Sequence, residues 1–274
     1  MGLIMAILNI NNSKFYYELH GHGVPFVLIA GLKGEHVNWI PVLDELTKQY
    51  QVLIFDNRGV GRTIDSGEPF SVETMADDVM ELINKLNLKK PHIVGHSLGG
   101  AIAQRIAKKY ADEISSIALC NTFAKFNDVG RKVFSDILML HQANASPADI
   151  MDSIIPWAFS KKFLSPELIK IIRKTSDENL YPQSLSNYSR QLQALYDFDS
   201  RLWVNTINVP TLVIGSEEDK LATPKESQEL TVSIPEAKLV IMPTSHASQV
   251  EQPNNFVKHL NKFYNDLTFQ TRQV

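Results

Sequence analysis

Gly95-His96-Ser97-Leu98-Gly99-Gly100 sets a hydroxyl among glycines, after a strand-like run over 91–94 and before helical spacing over 98–110. A serine in G-x-S-x-G between strand and helix sits on a sharp turn that exposes its hydroxyl at the sheet's carboxyl edge. The glycines leave room for close strand–helix approach, and the helix N-terminus favours developing negative charge. A serine hydroxyl is a weak nucleophile until a base takes its proton. Among the histidines, His246 lies just after the last strand-like segment, in Pro243-Thr244-Ser245-His246-Ala247. A loop position there brings its imidazole near the serine. His20, His22, His36, His92, His141 and His259 lie in hairpin, loop, strand-start or helix contexts, and the side chain of His96 is expected to point away from the site. A protonated imidazole cannot accept a proton, so a rate that depends on His246 falls on acidification.

The orienting carboxylate is expected after the penultimate strand, where Glu217, Glu218 and Asp219 stand in a row. Residue type alone leaves the three open. An oxyanion hole needs two aimed backbone N–H groups. Leu98, directly after the nucleophile, supplies one; the loop after the strand 26–30 supplies the other, at Leu32. No Cys/His zinc spacing and no glycine-rich dinucleotide fingerprint occurs, so neither metal nor organic cofactor is called for.

These residues need an α/β framework to hold them. Residues 4–10 and 14–20 alternate as a hairpin around Asn11-Asn12-Ser13. Phe26-Val27-Leu28-Ile29-Ala30 and the run 51–56 are continuous and apolar, as in strands buried on both faces. Helical spacing marks 38–50, 72–86 (with Ser71 as N-cap) and 98–110, with strands over 92–95 and 114–121. The alternation resumes with strands over 211–215 and 238–242 and helices over 225–232 and 253–267. It predicts a mostly parallel sheet with helices on both faces.

Between 122 and 206 the strand pattern stops. Ser146-Pro147 and Ser165-Pro166 read as helix starts, a capping serine followed by proline at the first helical position. About four helices are expected there. Residues 1–121 and 207–274 would form the core domain, and 122–206 a helical cap over the carboxyl ends of the strands. Met139, Leu140, Trp157, Phe159, Phe163, Tyr188, Tyr196 and Trp203 in that stretch suggest a substrate apolar around its acyl part, though many should fill the cap's own core.

Composition narrows the partners. The chain has 274 residues, 44% of them hydrophobic, and a formal charge of −3. Nothing in that balance favours nucleic acid or an anionic membrane, which leaves a small molecule as the expected partner. The single cysteine, Cys120, rules out an intrachain disulfide and fits a cytoplasmic location. The first residues lack the basic region of a signal peptide, and Ala6 stands where a myristoylation pattern needs Ser or Thr.

Over nearly its whole length the sequence resembles the α/β-hydrolase fold group of enol-lactonases, carboxylesterases and cofactor-free haloperoxidase-like proteins. The resemblance rests on Leu28-Ile29-Ala30-Gly31-Leu32, Trp39, Phe55-Asp56-Asn57-Arg58-Gly59-Val60-Gly61-Arg62, 95–100, 213–224, and His246 with Glu251-Gln252-Pro253. It implies about eight strands, a helical cap and a Ser-Asp-His triad of Ser97, Asp219 and His246. The Gly31-Leu32 loop, 56–61 and 191–198 also resemble aminoacrylate hydrolases of pyrimidine breakdown. Two departures matter. Ala30-Gly31 stands where many relatives have His-Gly, and the spacing from Gly215 to Asp219 is one residue longer than usual, which keeps Glu218 in view as the acid.

The resemblance implies hydrolysis of a carboxylic ester or lactone through an acyl-enzyme. Carbon–carbon bond, carbamate or acyl-carrier methyl ester hydrolysis would use the same triad, and a ligand-sensing receptor is the reading from another class. A haloalkane dehalogenase is disfavoured, because that chemistry needs a carboxylate where Ser97 stands.

Overall fold

Asn11 and Asn12 turn the chain with φ of 43° and 62°. Positive φ at both central residues is the geometry of the two-residue hairpin turn, and it pairs Ile10 with Ser13. The turn joins β1 (Ile4–Ile10) to β2 (Ser13–Gly21). The structure is a computed structural model that describes residues 3–271; Met1 and Gly2, where an acylation signal would begin, lie outside them. After the hairpin come β3 (Val24–Ile29), α1 (Ile40–Leu46), β4 (Tyr50–Phe55), α2 (Val72–Lys85), β5 (His92–His96), α3 (Leu98–Lys109) and β6 (Ser116–Cys120). Four helices follow without a strand: α4 (Asp128–Gln142), α5 (Pro147–Ala158), α6 (Pro166–Asp177) and α7 (Leu185–Asp197). The chain then rejoins the sheet through β7 (Thr211–Ser216), α8 (Pro224–Ser233), β8 (Lys238–Met242), α9 (Ser248–Glu251) and α10 (Pro253–Thr271).

Among the described residues eight strands form one sheet, in the order β1-β2-β4-β3-β5-β6-β7-β8. β1, β2 and β4 pair antiparallel; from β4 onward every pair is parallel. Its central strands are largely apolar because both faces are covered. Val27 and Ile29 of β3 face the core under α2 and α3, with Met75, Leu82, Ile102 and Ile106. Phe26, Leu28 and Ala30 face the other core, with Val42 and Leu46 of α1 and Phe256 and Leu260 of α10. Cys120 belongs to this second core and is fully buried, and burial drives its thiol pKa up.

Helix starts follow local chemistry. The Ser71, Ser146 and Ser165 side chains accept from the N–H of Thr74, Asp149 and Leu168. Asn127 and Ser184 do the same for α4 and α7, although sequence reasoning did not single them out. The expected helix over 38–50 is shorter: a 3-10 turn spans His36–Trp39, and α1 begins at Ile40 with Pro41 in its first turn. Among the described residues no helix is long and apolar enough to cross a membrane.

The hairpin is tied to α2 by a buried ion pair. Arg58 donates through Nε to Asp78 Oδ2 at 2.7 Å and through a terminal nitrogen to Oδ1 at 2.6 Å, and Asn11 Nδ2 reaches the same Oδ1. Asp78→Ala would leave the guanidinium buried and uncompensated, at a cost of about 3–5 kcal/mol. The urea midpoint should fall accordingly; a midpoint unchanged from wild type would show that Arg58 finds another partner.

Candidate active site

β3 has β4 on one side and β5 on the other. Ligands in open α/β sheets bind at such a switch point, outside the carboxyl ends of the strands. Register pairs Ile29 with Gly95, so the loop after β3 and the turn after β5 leave the sheet side by side. That turn is Ser97, with φ 54° and ψ −117°. A Cβ on Gly95 would stand 2.1 Å from the Gly99 carbonyl oxygen, and one on Gly99 2.1 Å from that of Ile29. Only glycine allows this crossing of strand and helix. Ser97 N–H donates to the Cys120 carbonyl at 3.0 Å, and the Thr122 hydroxyl donates to the Ser97 carbonyl at 2.7 Å. The strained backbone is therefore held from β6 and the residues just beyond it.

Leu98 opens α3, so its N–H lies in the first turn, which has no intrahelical acceptor. Leu32 lies in the neighbouring loop, where Gly31 approaches so closely that a Cβ would meet that of Ser97 at 3.1 Å. Among the described residues the Leu32 N–H takes no protein acceptor. The loop is pinned from two sides. Lys33 N–H donates to Gln191 Oε1 of α7 at 2.8 Å, and Asp56 Oδ1 accepts both the N–H and Nδ1–H of His36, at 2.8 and 2.7 Å. Asp56 Oδ2 accepts the Arg62 N–H at 2.8 Å. Glu35, His36 and Asp56 bring ligating atoms within 4.8 Å of one another. Their hydrogen bonds, including Asn179 Nδ2 to Glu35 at 2.7 Å, make this group a brace for the loop rather than a cation cage.

β7 and β8 pair Ser216 with Met242 and so bring together the loops that carry Asp219 and His246. His246 Nδ1 donates to Asp219 Oδ2 at 2.8 Å. The other oxygen, Oδ1, accepts the N–H groups of Leu221 and Ala222 at 2.8 and 3.0 Å. Asn121 Nδ2 adds a fourth donor to the carboxylate, at 2.9 Å from Oδ2, and its side-chain Oδ1 accepts the Ser248 hydroxyl at 2.6 Å. Burial works to raise the Asp219 pKa, but the imidazole of His246 and these donors outweigh it and hold the group below the usual carboxylate range. Glu217 and Glu218 are exposed and outside this network. Ser97, Asp219 and His246 are 7%, 3% and 7% exposed, surroundings dry enough to strengthen charge interactions.

His96 requires a correction. Sequence reasoning turned its side chain away from the site; instead its Nε2 donates to the His246 carbonyl at 2.8 Å, with ring centroids 4.9 Å apart. Its alternation along β5 puts it on the face opposite Ile93, beneath the histidine loop. Glu251 holds the same loop from outside. It accepts the N–H of Ser245 and of Ser160, which ties the loop after β8 to the end of α5. A polar pair, Asn121-Thr122, directly after the apolar run Ile117–Cys120 was a readable sign of support at this edge; Gln191 and Glu251 act over distances that no local pattern reveals.

The aromatic residues of 122–206 serve mostly their own packing. Tyr188 is fully buried and donates to the Phe134 carbonyl, Tyr196 stacks 6.1 Å from Phe126, Trp203 packs on Phe198, and Met139 is exposed.

Burial lowers the His96 pKa to about 3, with the neighbouring His246 adding to the effect, and burial lowers that of His92 to about 4. An unfolded histidine binds its proton near about pH 6.5. Between that pH and those lowered values the unfolded chain holds more protons than the folded one. Stability is therefore complete above the unfolded value and is lost as pH falls through the window, by about 1 kcal/mol per ring per pH unit. Asp219 acts with the same sign at lower pH. The urea midpoint at about pH 5 should lie well below that at about pH 7.5, and equal midpoints would contradict the neutral, buried rings.

Comparison with known proteins agrees with this architecture. A protein from Stutzerimonas stutzeri named carbamate hydrolase RutD is 28% identical over 250 residues, which covers 88% of this chain and 93% of that protein. One of the same name from Agrobacterium fabrum is 27% identical over 256 residues, covering 90% and 97%. The crystal structure of an enol-lactonase from Burkholderia xenovorans matches with a TM-score of 0.86 at 26% identity, over 95% of this chain and all of that one. The family model described as alpha/beta hydrolase fold matches residues 24–253. Because that match runs from the first parallel strand through the loop that carries His246 to the start of the last helix, the chain belongs to the α/β-hydrolase fold family of enzymes.

Proposed function

We propose that the chain hydrolyses a carboxylic ester or lactone through an acyl-enzyme. The observation that carries this reading is the His246–Asp219 hydrogen bond of 2.8 Å beside a serine held at φ 54°. Ser97 Oγ attacks the carbonyl carbon while His246 Nε2 takes its proton. The N–H groups of Leu32 and Leu98 stabilise the oxyanion. His246 then protonates the leaving alkoxide as the tetrahedral intermediate collapses. Water, deprotonated by His246, attacks the acyl-enzyme, and collapse returns the proton to Ser97 and frees the acid. Asp219 keeps Nδ1 protonated, so that Nε2 is the acceptor, and it stabilises the imidazolium. No metal or cofactor takes part.

Residues 122–206 act in this reading as a cap over the core of 1–121 and 207–274. Support comes from the contacts of Gln191 with the loop after β3 and of Ser160 with Glu251 beside the histidine loop. Carbamate hydrolysis by the same triad is the second reading, favoured by the name of the two relatives. A serine-directed fluorophosphonate should add one adduct per chain, mapped by peptide mass spectrometry to Ser97. An adduct on any other serine would remove Ser97 from the role. A receptor without turnover would give no release of p-nitrophenol above the background of its Ser97→Ala variant.

A further inference from the structure

Beside the loop that carries Leu32, several polar groups converge that the proposed reaction leaves unused. Lys33 follows Leu32 directly, with φ 64°, and its N–H donates to Gln191 Oε1 at 2.8 Å. That bond fixes the amide's orientation, since only the oxygen can accept. Gln183 Nε2 donates to the same oxygen at 3.2 Å. Gln191 Nε2 is thus turned the other way. Gln191 is fully buried, and its Nε2 has no hydrogen-bond partner among the described residues. An unsatisfied buried donor costs about 1–3 kcal/mol, which a bound acceptor removes.

One turn earlier on α7, Tyr188 sets its ring 4.8 Å from that of His141, whose Nε2 is also buried without a partner. The Lys33 side chain lies in the same region. Burial lowers its pKa against the opposing pull of Glu35, and its ammonium adds to burial in lowering the pKa of His141. Glu35 itself is occupied by Asn179, and among the described residues Lys33 makes no ion pair. Two buried donors without partners thus lie beside a lysine that makes no ion pair among the described residues, and the Glu35 carboxylate near it is already engaged by Asn179. A carboxylate, with room for about four hydrogen bonds and a single charge, matches that set.

We propose that Lys33, His141 and Gln191 form a carboxylate subsite, so that the ester or lactone presented to Ser97 carries an ionised carboxylate a short spacer away from the reacting carbonyl. The inference rests on the reading of Ser97 as nucleophile and narrows its substrate class from esters in general to monoanionic ones.

Two esters of matched length test it: mono-p-nitrophenyl glutarate, which is anionic, and its neutral methyl ester. The wild-type ratio of kcat/KM, anionic over neutral, should exceed about ten, since charge-assisted bonds are gained only by the anion. Lys33→Met should lower that ratio about tenfold or more, mainly through KM, and Lys33→Arg should restore most of it. His141→Phe should lower it by a smaller factor. A second arm needs no turnover. In Ser97→Ala, calorimetry should show monomethyl glutarate binding about tenfold or more tighter than dimethyl glutarate. Should Lys33→Met fail to fold, this arm decides alone. Equal binding of the two glutarates, or a ratio of one in the wild type, overturns the subsite. Full activity in Ser97→Ala instead overturns the nucleophile assignment; the binding preference then still stands or falls by itself.

Discussion

Ser97→Ala should lower kcat on p-nitrophenyl acetate by about 10³-fold or more while leaving the thermal unfolding profile close to wild type. The size follows from how the three groups act. In the proposed mechanism His246 has a proton to take only if Ser97 offers one, and the N–H groups of Leu32 and Leu98 have a tetrahedral intermediate to stabilise only if an oxygen attacks. Removing the hydroxyl therefore idles the whole assembly, a loss of about 4 kcal/mol of transition-state stabilisation. The structural effect is small by comparison. The positive φ of residue 97 costs about the same for alanine as for serine, and the bonds that hold it run through its backbone N–H and carbonyl. Parallel assays of wild type and variant, with circular dichroism, separate the two effects. Full activity in the alanine variant would move the chemistry to another residue.

The sheet was legible because its central strands are covered on both faces, which writes them as unbroken apolar runs such as Phe26-Val27-Leu28-Ile29-Ala30. Helices with a serine cap and a following proline were legible for a local reason too, since cap and proline act within one turn. The helix expected over 38–50 was overextended at both ends, since Asn38 and Trp39 belong to a 3-10 turn and Tyr50 already starts β4. His36 is held by Asp56, and the 3-10 turn it begins delays α1 to Ile40. The same contrast runs through the site. Ser97 carries its context on either side, so its place at a positive-φ turn could be expected from sequence. The brace around it could not. Gln191 reaches Lys33 across 158 positions and Ser248 reaches Asn121 across 127, and such pairings exist only once the sheet order has set the loops side by side.

The acid loop shows where pattern stops and geometry is needed, and it yields the last prediction. Asp219→Asn should lower kcat by on the order of 10³- to 10⁴-fold, with Glu218→Gln and Glu217→Gln within about twofold of wild type. The longer spacing from Gly215 is absorbed by a turn: Asp219 N–H donates back to the Ser216 carbonyl at 3.3 Å. Glu217 and Glu218 occupy the middle of that turn and donate their own N–H groups to the Met242 and Thr244 carbonyls, at 2.9 and 3.0 Å. Those bonds run the loop along the extension of β8 and leave both glutamate side chains exposed. Asp219 turns inward, where the N–H groups of Leu221 and Ala222 fix Oδ1 and leave Oδ2 for His246. An asparagine there can satisfy the same backbone donors with its oxygen. Its amide nitrogen would then face Nδ1 of His246 and donate to it, which puts the ring proton on Nε2. In that tautomer the imidazole cannot accept from Ser97, and no carboxylate remains to stabilise the imidazolium. Asparagine is close in shape to aspartate, so an unchanged circular dichroism spectrum beside a collapsed kcat would separate a tautomer defect from unfolding. A crippled Glu218→Gln with a nearly normal Asp219→Asn would instead transfer the role to Glu218, and the 2.8 Å bond to His246 would then be a structural contact alone.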